Sequence, residues 1–246
     1  MHAIGQATFG ALQGRPYTAR HDRTPLCNSR ALTATVTYRP DIDGLRAIAV
    51  LAVVIFHLGV PGFDGGYVGV DVFFVISGFL ITSIITGKLE AGDFRLGDFY
   101  SRRIRRLVPP LLVTVAATVV GAGLLLTPYD MIGFARSAVA AIFSLSNIVF
   151  FLEAGYWDTA SELKPLLHTW SLGVEEQFYL FWPALLVLLM AARERISFTA
   201  AMVAITVLGF ALCVWYTTVS QSAAFYLLPF RVFQFSMGAL VIPLGG

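Results

Sequence analysis

Seven apolar windows follow one another along the chain, near residues 45–60, 66–87, 107–126, 132–151, 170–190, 199–219 and 224–244. At about 1.5 Å of rise per residue, all but the first can cross a hydrocarbon layer of about 30 Å as helices. The pattern predicts an all-α fold, a polytopic transmembrane helix bundle with about seven spans. The 37 residues ahead of it are polar, carry Arg15, Arg20, Arg23 and Arg30, and lack the apolar core of a signal peptide. The expected organisation is therefore a disordered cytoplasmic tail over 1–37 and a membrane domain over 38–246.

Composition agrees with the pattern. Apolar residues make up 57% of the 246 and charged residues 13%, and the mean hydropathy is +0.75, values typical of an integral membrane protein. The lipid bilayer is the expected environment. A net charge of +2 gives no reason to expect a nucleic-acid partner. Cys27 lies in the polar tail and Cys213 in an apolar window, so no disulfide is expected. No metal centre is expected either.

Loop charges supply an orientation. Residues 59–65 contain no Lys or Arg, whereas 88–106 contain Lys88, Arg95, Arg102, Arg103, Arg105 and Arg106. The positive-inside rule then puts the tail and 88–106 in the cytoplasm and 59–65 outside. Strict alternation from there places 152–169 inside and Arg193 and Arg195 outside, which the same rule disfavours. A re-entrant segment between 107 and 170 would remove the conflict.

Three constellations carry candidate chemistry. In LRAIAVLAVVIFHLGV, Arg46 and His57 are eleven positions apart. On a helix that leaves them about 20° apart on one face and about 16 Å apart along the axis. A titratable imidazole deep in an apolar run, on the stripe of a guanidinium, is a functional candidate. The alternative is a helix-end histidine bonded to a neighbour. In FYSRRIRRLVPPLL, Arg103 and Arg106 are three apart, as are Arg102 and Arg105, so a helical turn presents paired guanidinia. Pro109 and Pro110 read as the first turn of the next helix. Such a forked cationic pair suits the phosphates of a diphosphate-containing molecule such as coenzyme A, or equally a lipid headgroup anchor.

The third constellation is LKPLLHTWSLGVEEQFYLFWP, where His168 precedes a span and Glu175 and Glu176 fall in its first turns. A carboxylate there is costly unless protonated or paired, and Arg231 of the last window is the expected partner, in a structural or a catalytic pair. Asp71 is expected to bond a neighbouring helix through Ser77 or the backbone, and Asp43 to cap the first span.

Four segments, YRPDIDGLRAIAVLAVVIFH, GGYVGVDVFFVISGFLIT, FYSRRIRRLVPPLL and LLHTWSLGVEEQFYLFWP, occur in that order. Together they resemble the membrane acyltransferase-3 family, from about Tyr38 to the end of the chain. That family includes O-acetylases of lipopolysaccharide O-antigen, peptidoglycan and other envelope glycans. The resemblance implies transfer of an acyl group, acetyl first of all, from cytoplasmic acyl-coenzyme A to an extracytoplasmic carbohydrate hydroxyl. It also implies a multi-pass protein of the bacterial inner membrane with a cytoplasmic N-terminus. Acyl-coenzyme A would be a donor substrate rather than a resident cofactor.

Residue by residue, the family's first-span Arg and His fall on Arg46 and His57, its Arg pair on Arg103 and Arg106, and its acidic motif on Glu175 and Glu176. The implied catalytic residues are His57, Glu175 and Glu176, and the implied donor-binding residues Arg46, Arg103 and Arg106. Neutral His57 would take a proton from a sugar hydroxyl as its oxygen attacks the thioester, or would carry the acyl group transiently. Arg46 stands too far along the helix to touch His57 and is assigned to donor or helix positioning. The family core has about ten spans, and members with this opening continue into an SGNH-type domain with a serine nucleophile. A C-terminally truncated chain is expected here, with the remaining spans and that domain missing or separate. Two other readings compete: a transporter or flippase using the same charges as a path, although no internal repeat is evident, and an inactive partner subunit.

Overall fold

The computed structural model describes residues 39–154 and 164–242, and their regular structure is entirely helical. The tail, 1–37, lies outside the described residues. Helix α1 (Pro40–His57) starts where proline fixes φ at the first helical position. Asp41 and Asp43 follow in its first turn, where the helix dipole favours carboxylates. Asp43 is thus not the cap. That position belongs to Arg39, whose guanidinium lies 2.7 Å from Asp41. A glycine-rich turn reverses the chain into α2 (Gly69–Glu90). Gly66 and Gly69 let the two backbones touch: a Cβ at Gly69 would stand 2.9 Å from Val53 Cγ2.

Helix α3 (Leu96–Leu125) runs unbroken for 30 residues, through both arginine pairs and through Pro109 and Pro110. The prolines therefore lie inside a helix that begins at Leu96, not in the first turn of one. The turn at Gly92, with φ +69°, ends α2 and lets α3 start early. Each proline forfeits one backbone bond.

Helix α4 (Pro128–Ile142) is capped by Thr127, and α5 (Ser146–Glu153) is short. The fourth window, 132–151, is therefore two helices rather than one. The break falls at Phe143–Leu145, where Ser144 takes φ +58°. Packing folds the pair into a hairpin. Phe134 and Ala138 of α4 lie with Leu166, ahead of α6 (Thr169–Ala191). The turn reaches down to Gly173 and Gln177 inside α6, and Glu153 ends beside Lys164, 3.5 Å away. A Cβ on Gly173 would meet Asn147 Oδ1 at 2.8 Å, so glycine there admits the hairpin.

Helix α6 consequently begins at the same end of the bundle as α2 and runs parallel to it. Ser77 meets Glu175, and five residues further Thr82 accepts from Trp182 Nε1 at 2.8 Å. Helix α7 (Phe198–Thr217) returns. The last window then breaks at Pro229 into α8 (Gln221–Tyr226), a 3₁₀ turn over 228–230, and α9 (Val232–Leu240). Helix α9 crosses α2 so closely that a Cβ on Gly78 would strike the Phe235 carbonyl and one on Gly238 the Val75 carbonyl. In lipid, where apolar surfaces gain little from meeting, such small-residue contacts carry helix association. The rings of Phe178 and Phe235 stack beside them at 4.0 Å.

Among the described residues four helices are long and apolar enough to cross a membrane: 66–90 (α2 with its leading turn), α3, α6 and α7. The chain is a multi-pass, all-α membrane bundle. Lys88, Arg95, Arg193 and Arg195 flank the ends of α2 and α6 and the starts of α3 and α7, opposite the end that carries His57 and His168.

Candidate functional site

Helical spacing on α6 fixes the middle of the site. Glu175 and Tyr179 are four apart and share a face, while Glu176 lies about 100° round. Glu175 is buried, and the hydroxyls of Tyr179 and Ser77 both donate to its Oε1. Two donors satisfy a carboxylate that would otherwise be costly in lipid.

Arg231 does not partner Glu175. It lies 2.9 Å from Asp71, donates from Nε to the Phe225 carbonyl at 3.0 Å, and sits over the Phe225 ring at 5.0 Å. Gln234 Nε2 adds a bond to Asp71 at 2.8 Å. Asp71, expected to use Ser77 or the backbone, is thereby taken by the last helix. The reason is register: the break at Pro229 starts α9 level with Asp71, six residues or about 9 Å along α2 from Ser77.

Around the other side of α6, Arg103 lays its guanidinium on the Tyr179 ring, 3.7 Å from the centroid, and its charge acts on Glu176. Glu176 Oε1 is buried and has no hydrogen-bond partner among the described residues. A half-open cavity of about 250 Å³ lies here between α3, α6 and the tip of the hairpin. Arg103 and Glu176 supply its charges, and Ile104, Phe143, Leu145 and Leu180 much of its wall. Gln177 pins the tip from behind, donating to the Ser144 carbonyl at 3.2 Å and to Asn147 Oδ1 at 2.8 Å. Arg106, one turn along α3, is exposed.

His57 is the last residue of α1 and is exposed, not deep in an apolar run. Its Nδ1 stands 2.8 Å from the Val53 carbonyl. A carbonyl only accepts, so Nδ1 carries the proton and Nε2 of the neutral ring keeps a free lone pair. Close by is His168, whose pKa is lowered, first by the packing around its ring and also by the charge of His57, with a bond to the Pro165 backbone opposing in part. Arg46 lies over the Phe73 ring at 5.0 Å and 3.9 Å from Asp43, both away from His57. The structure thus gathers the candidates into two groups. His57 stands with His168 at one end, and Arg103 with Glu175 and Glu176 in the middle, about 11–12 Å along α6. Tyr179, which joins Arg103 to Glu175, was not singled out from sequence; its place four residues after Glu175 was the available signal.

Fold and site define a multi-pass helical membrane protein with a basic and acidic cluster buried between spans. The chain belongs to the acyltransferase-3 family, whose model, described as an acyltransferase domain, matches residues 39–244. Three relatives illustrate the likeness. "Putative O-acetyltransferase SAS0844" of Staphylococcus aureus is 40% identical over 195 residues, covering 77% of this chain and 32% of the relative. "Putative peptidoglycan O-acetyltransferase YrhL" of Bacillus subtilis is 42% identical over 176 residues, 70% of this chain and 27% of its own length. Peptidoglycan O-acetyltransferase OatA of Listeria monocytogenes is 42% identical over 151 residues, 61% and 24% respectively. The chain spans about a third or less of these curated relatives. No solved structure matches.

Proposed function

We propose that the chain forms the membrane-embedded part of an O-acyltransferase that moves an acetyl group from acyl-coenzyme A to a hydroxyl of an envelope carbohydrate. Peptidoglycan is the favoured acceptor, because two of the relatives are named for it. The observation that carries the reading is the contact of His57 Nδ1 with the Val53 carbonyl, which leaves Nε2 of a neutral ring available as a base, at one end of a bundle whose α3 arginines stand nearer the other. Nε2 accepts the proton of the sugar hydroxyl as its oxygen attacks the acyl carbonyl; the C–S bond breaks and the coenzyme A thiolate leaves, taking up the proton.

Orientation follows from charge. With α4 and α5 re-entrant, Lys88, Arg95, Arg193 and Arg195 share one end, which the positive-inside rule makes cytoplasmic. His57 and His168 then face outward, toward the glycan, in the inner membrane of a bacterium. Donor phosphates bind the α3 arginines, and the arm of coenzyme A spans the distance between the groups.

The test is expression in a strain lacking its own O-acetylation, with alkali-released acetate measured on purified glycan. Wild-type protein should raise acetate and His57→Ala, inserted at equal level, should not. Equal acetate from both would overturn the role of His57, and none from either would overturn the acyltransferase reading for this chain.

A further inference from the structure

The two arms of the α4–α5 hairpin leave another crevice, on the outside of the bundle. Ser144, at φ +58°, turns α5 out of line with α4, and the space between them measures about 510 Å³. Arg136, Val139, Ala140 and Phe143 form one wall, at the i, i+3, i+4, i+7 spacing of a single helix face. Leu145 and Val149 supply the other, and the lining is carbon throughout. Phe134 and Ala138 lie on the buried face of α4, so the crevice opens away from the core.

Arg136 is the one charged residue in this lining. It is exposed and has no ion pair among the described residues. A cation beside an apolar surface in lipid is costly unless an anion meets it. Helical side chains lean toward the N-terminus of their own helix, and α4 starts where α3 ends, at the end of the bundle that carries His57. Arg136 stands eight residues beyond Pro128, about 12 Å along the axis. Its alkyl stem lies along the crevice and carries the charge back toward that surface.

The occupant that fits has a phosphate for the guanidinium and a long alkyl chain for the carbon walls. A free anion leaves those walls uncovered, and a sugar or nucleotide would set hydroxyls against them without partners. About 510 Å³ corresponds to roughly seventeen groups the size of a water molecule. A methylene is of similar size, so most of one acyl chain is accommodated. No carboxylate lines the crevice to meet an ammonium headgroup, which favours a lipid of net negative charge.

We propose that this crevice binds an anionic phospholipid of the phosphatidylglycerol class, its phosphate on Arg136 and one acyl chain along Val139, Ala140 and Phe143. On the orientation proposed above, the lipid belongs to the outer leaflet. Phe143 and Leu145 also wall the cavity beside Glu176, so the bound chain braces the hairpin tip from outside.

The test is native mass spectrometry of the full 246-residue chain, released from nanodiscs that hold phosphatidylglycerol and phosphatidylcholine in equal amounts with identical chains. It needs no turnover and so stands apart from the acyltransfer reading. The ratio of phosphatidylglycerol to phosphatidylcholine retained by wild-type protein should be about fivefold that of Arg136→Gln, the scale of one arginine against an anionic lipid. Arg136→Lys should keep most of the preference. Val139→Trp, at an exposed position that leaves the core intact, fills the crevice and should lower the ratio to the Arg136→Gln value with the charge still in place. Equal ratios in wild type and Arg136→Gln would overturn the site, and a wild-type ratio in Val139→Trp would overturn the crevice as the seat of the chain. A polyprenyl phosphate added to the same nanodiscs should not displace phosphatidylglycerol; its retention instead would overturn the phospholipid assignment.

Discussion

Arg103 rests on the face of Tyr179, and the Tyr179 hydroxyl points the other way, into Glu175. One aromatic side chain therefore positions a cation and satisfies an anion in two different clefts of α6. The two functions reside in different parts of the residue, ring and hydroxyl, and can be separated.

Tyr179→Phe keeps the ring under Arg103, and Ser77 still donates to Glu175. Donor affinity should stay near the wild-type value. Tyr179→Leu removes the ring and should weaken donor binding about 5- to 30-fold, the equivalent of about 1–2 kcal/mol for a desolvated cation–π contact. Titration of acyl-coenzyme A against both variants decides it; equal affinities in Phe and Leu would show that the ring does not hold Arg103.

The pairing of Asp71 with Arg231 predicts a specific coupling. Removing one partner of a half-buried pair leaves the other partly uncompensated, at less than the roughly 3–5 kcal/mol of a fully buried one. Asp71→Asn and Arg231→Gln should each lower the melting temperature in detergent, and the double variant should fall by clearly less than their sum. Glu175→Gln combined with Arg231→Gln should simply add, because those residues do not meet.

Helix crossing at Gly78 and Gly238 should tolerate no methyl group. Gly78→Ala or Gly238→Ala drives a Cβ into a backbone carbonyl, which places it at or above the usual overpacking cost of about 1–3 kcal/mol. Gly121→Ala on α3, where a Cβ meets nothing within 4 Å, should be neutral or stabilise by up to about 1 kcal/mol. Thermal unfolding of the three variants gives the ranking, and a Gly78→Ala protein as stable as wild type would contradict the close crossing.

His168 should make stability fall in mild acid. Its folded pKa lies below the ordinary 6.5, so the unfolded chain binds the proton more readily and stability drops as pH falls from about 6.5 through the folded pKa. His168→Gln should flatten that limb of a melting-temperature profile. His57→Gln should flatten it partly, by removing the like charge. A limb unchanged in both would assign the acid sensitivity elsewhere.

Much of this was legible in sequence because long apolar runs leave a membrane chain little choice but helix. The spans of α2, α3, α6 and α7 could be read in that way, whereas the meeting of Arg103 with Glu176 could not, because the two lie in separate segments. The break in AIFSLSNIVF could not be placed, since its apolar content matches a span; the cue was three polar residues, Ser144, Ser146 and Asn147, within four positions. The partner of Arg231 was hidden for a different reason. It depends on where α9 starts along α2, which is set by the turn at Pro229 and by two glycines touching backbone, a tertiary register no local pattern encodes.

The hairpin of α4 and α5 has a consequence for how the chain is made. At the ribosome α4 and α5 emerge before the residues that satisfy them: Asn147 and the Ser144 carbonyl wait for Gln177, and the Ser146 hydroxyl waits for the Thr169 carbonyl. A broken tip released into lipid on its own would carry unsatisfied backbone groups at several kcal/mol each. The pair must therefore stay sheltered by the insertion machinery or by α2 and α3 until α6 has been synthesised. Hairpin and α6 enter the bilayer as one unit, so the cavity between them comes into being in a single step of assembly.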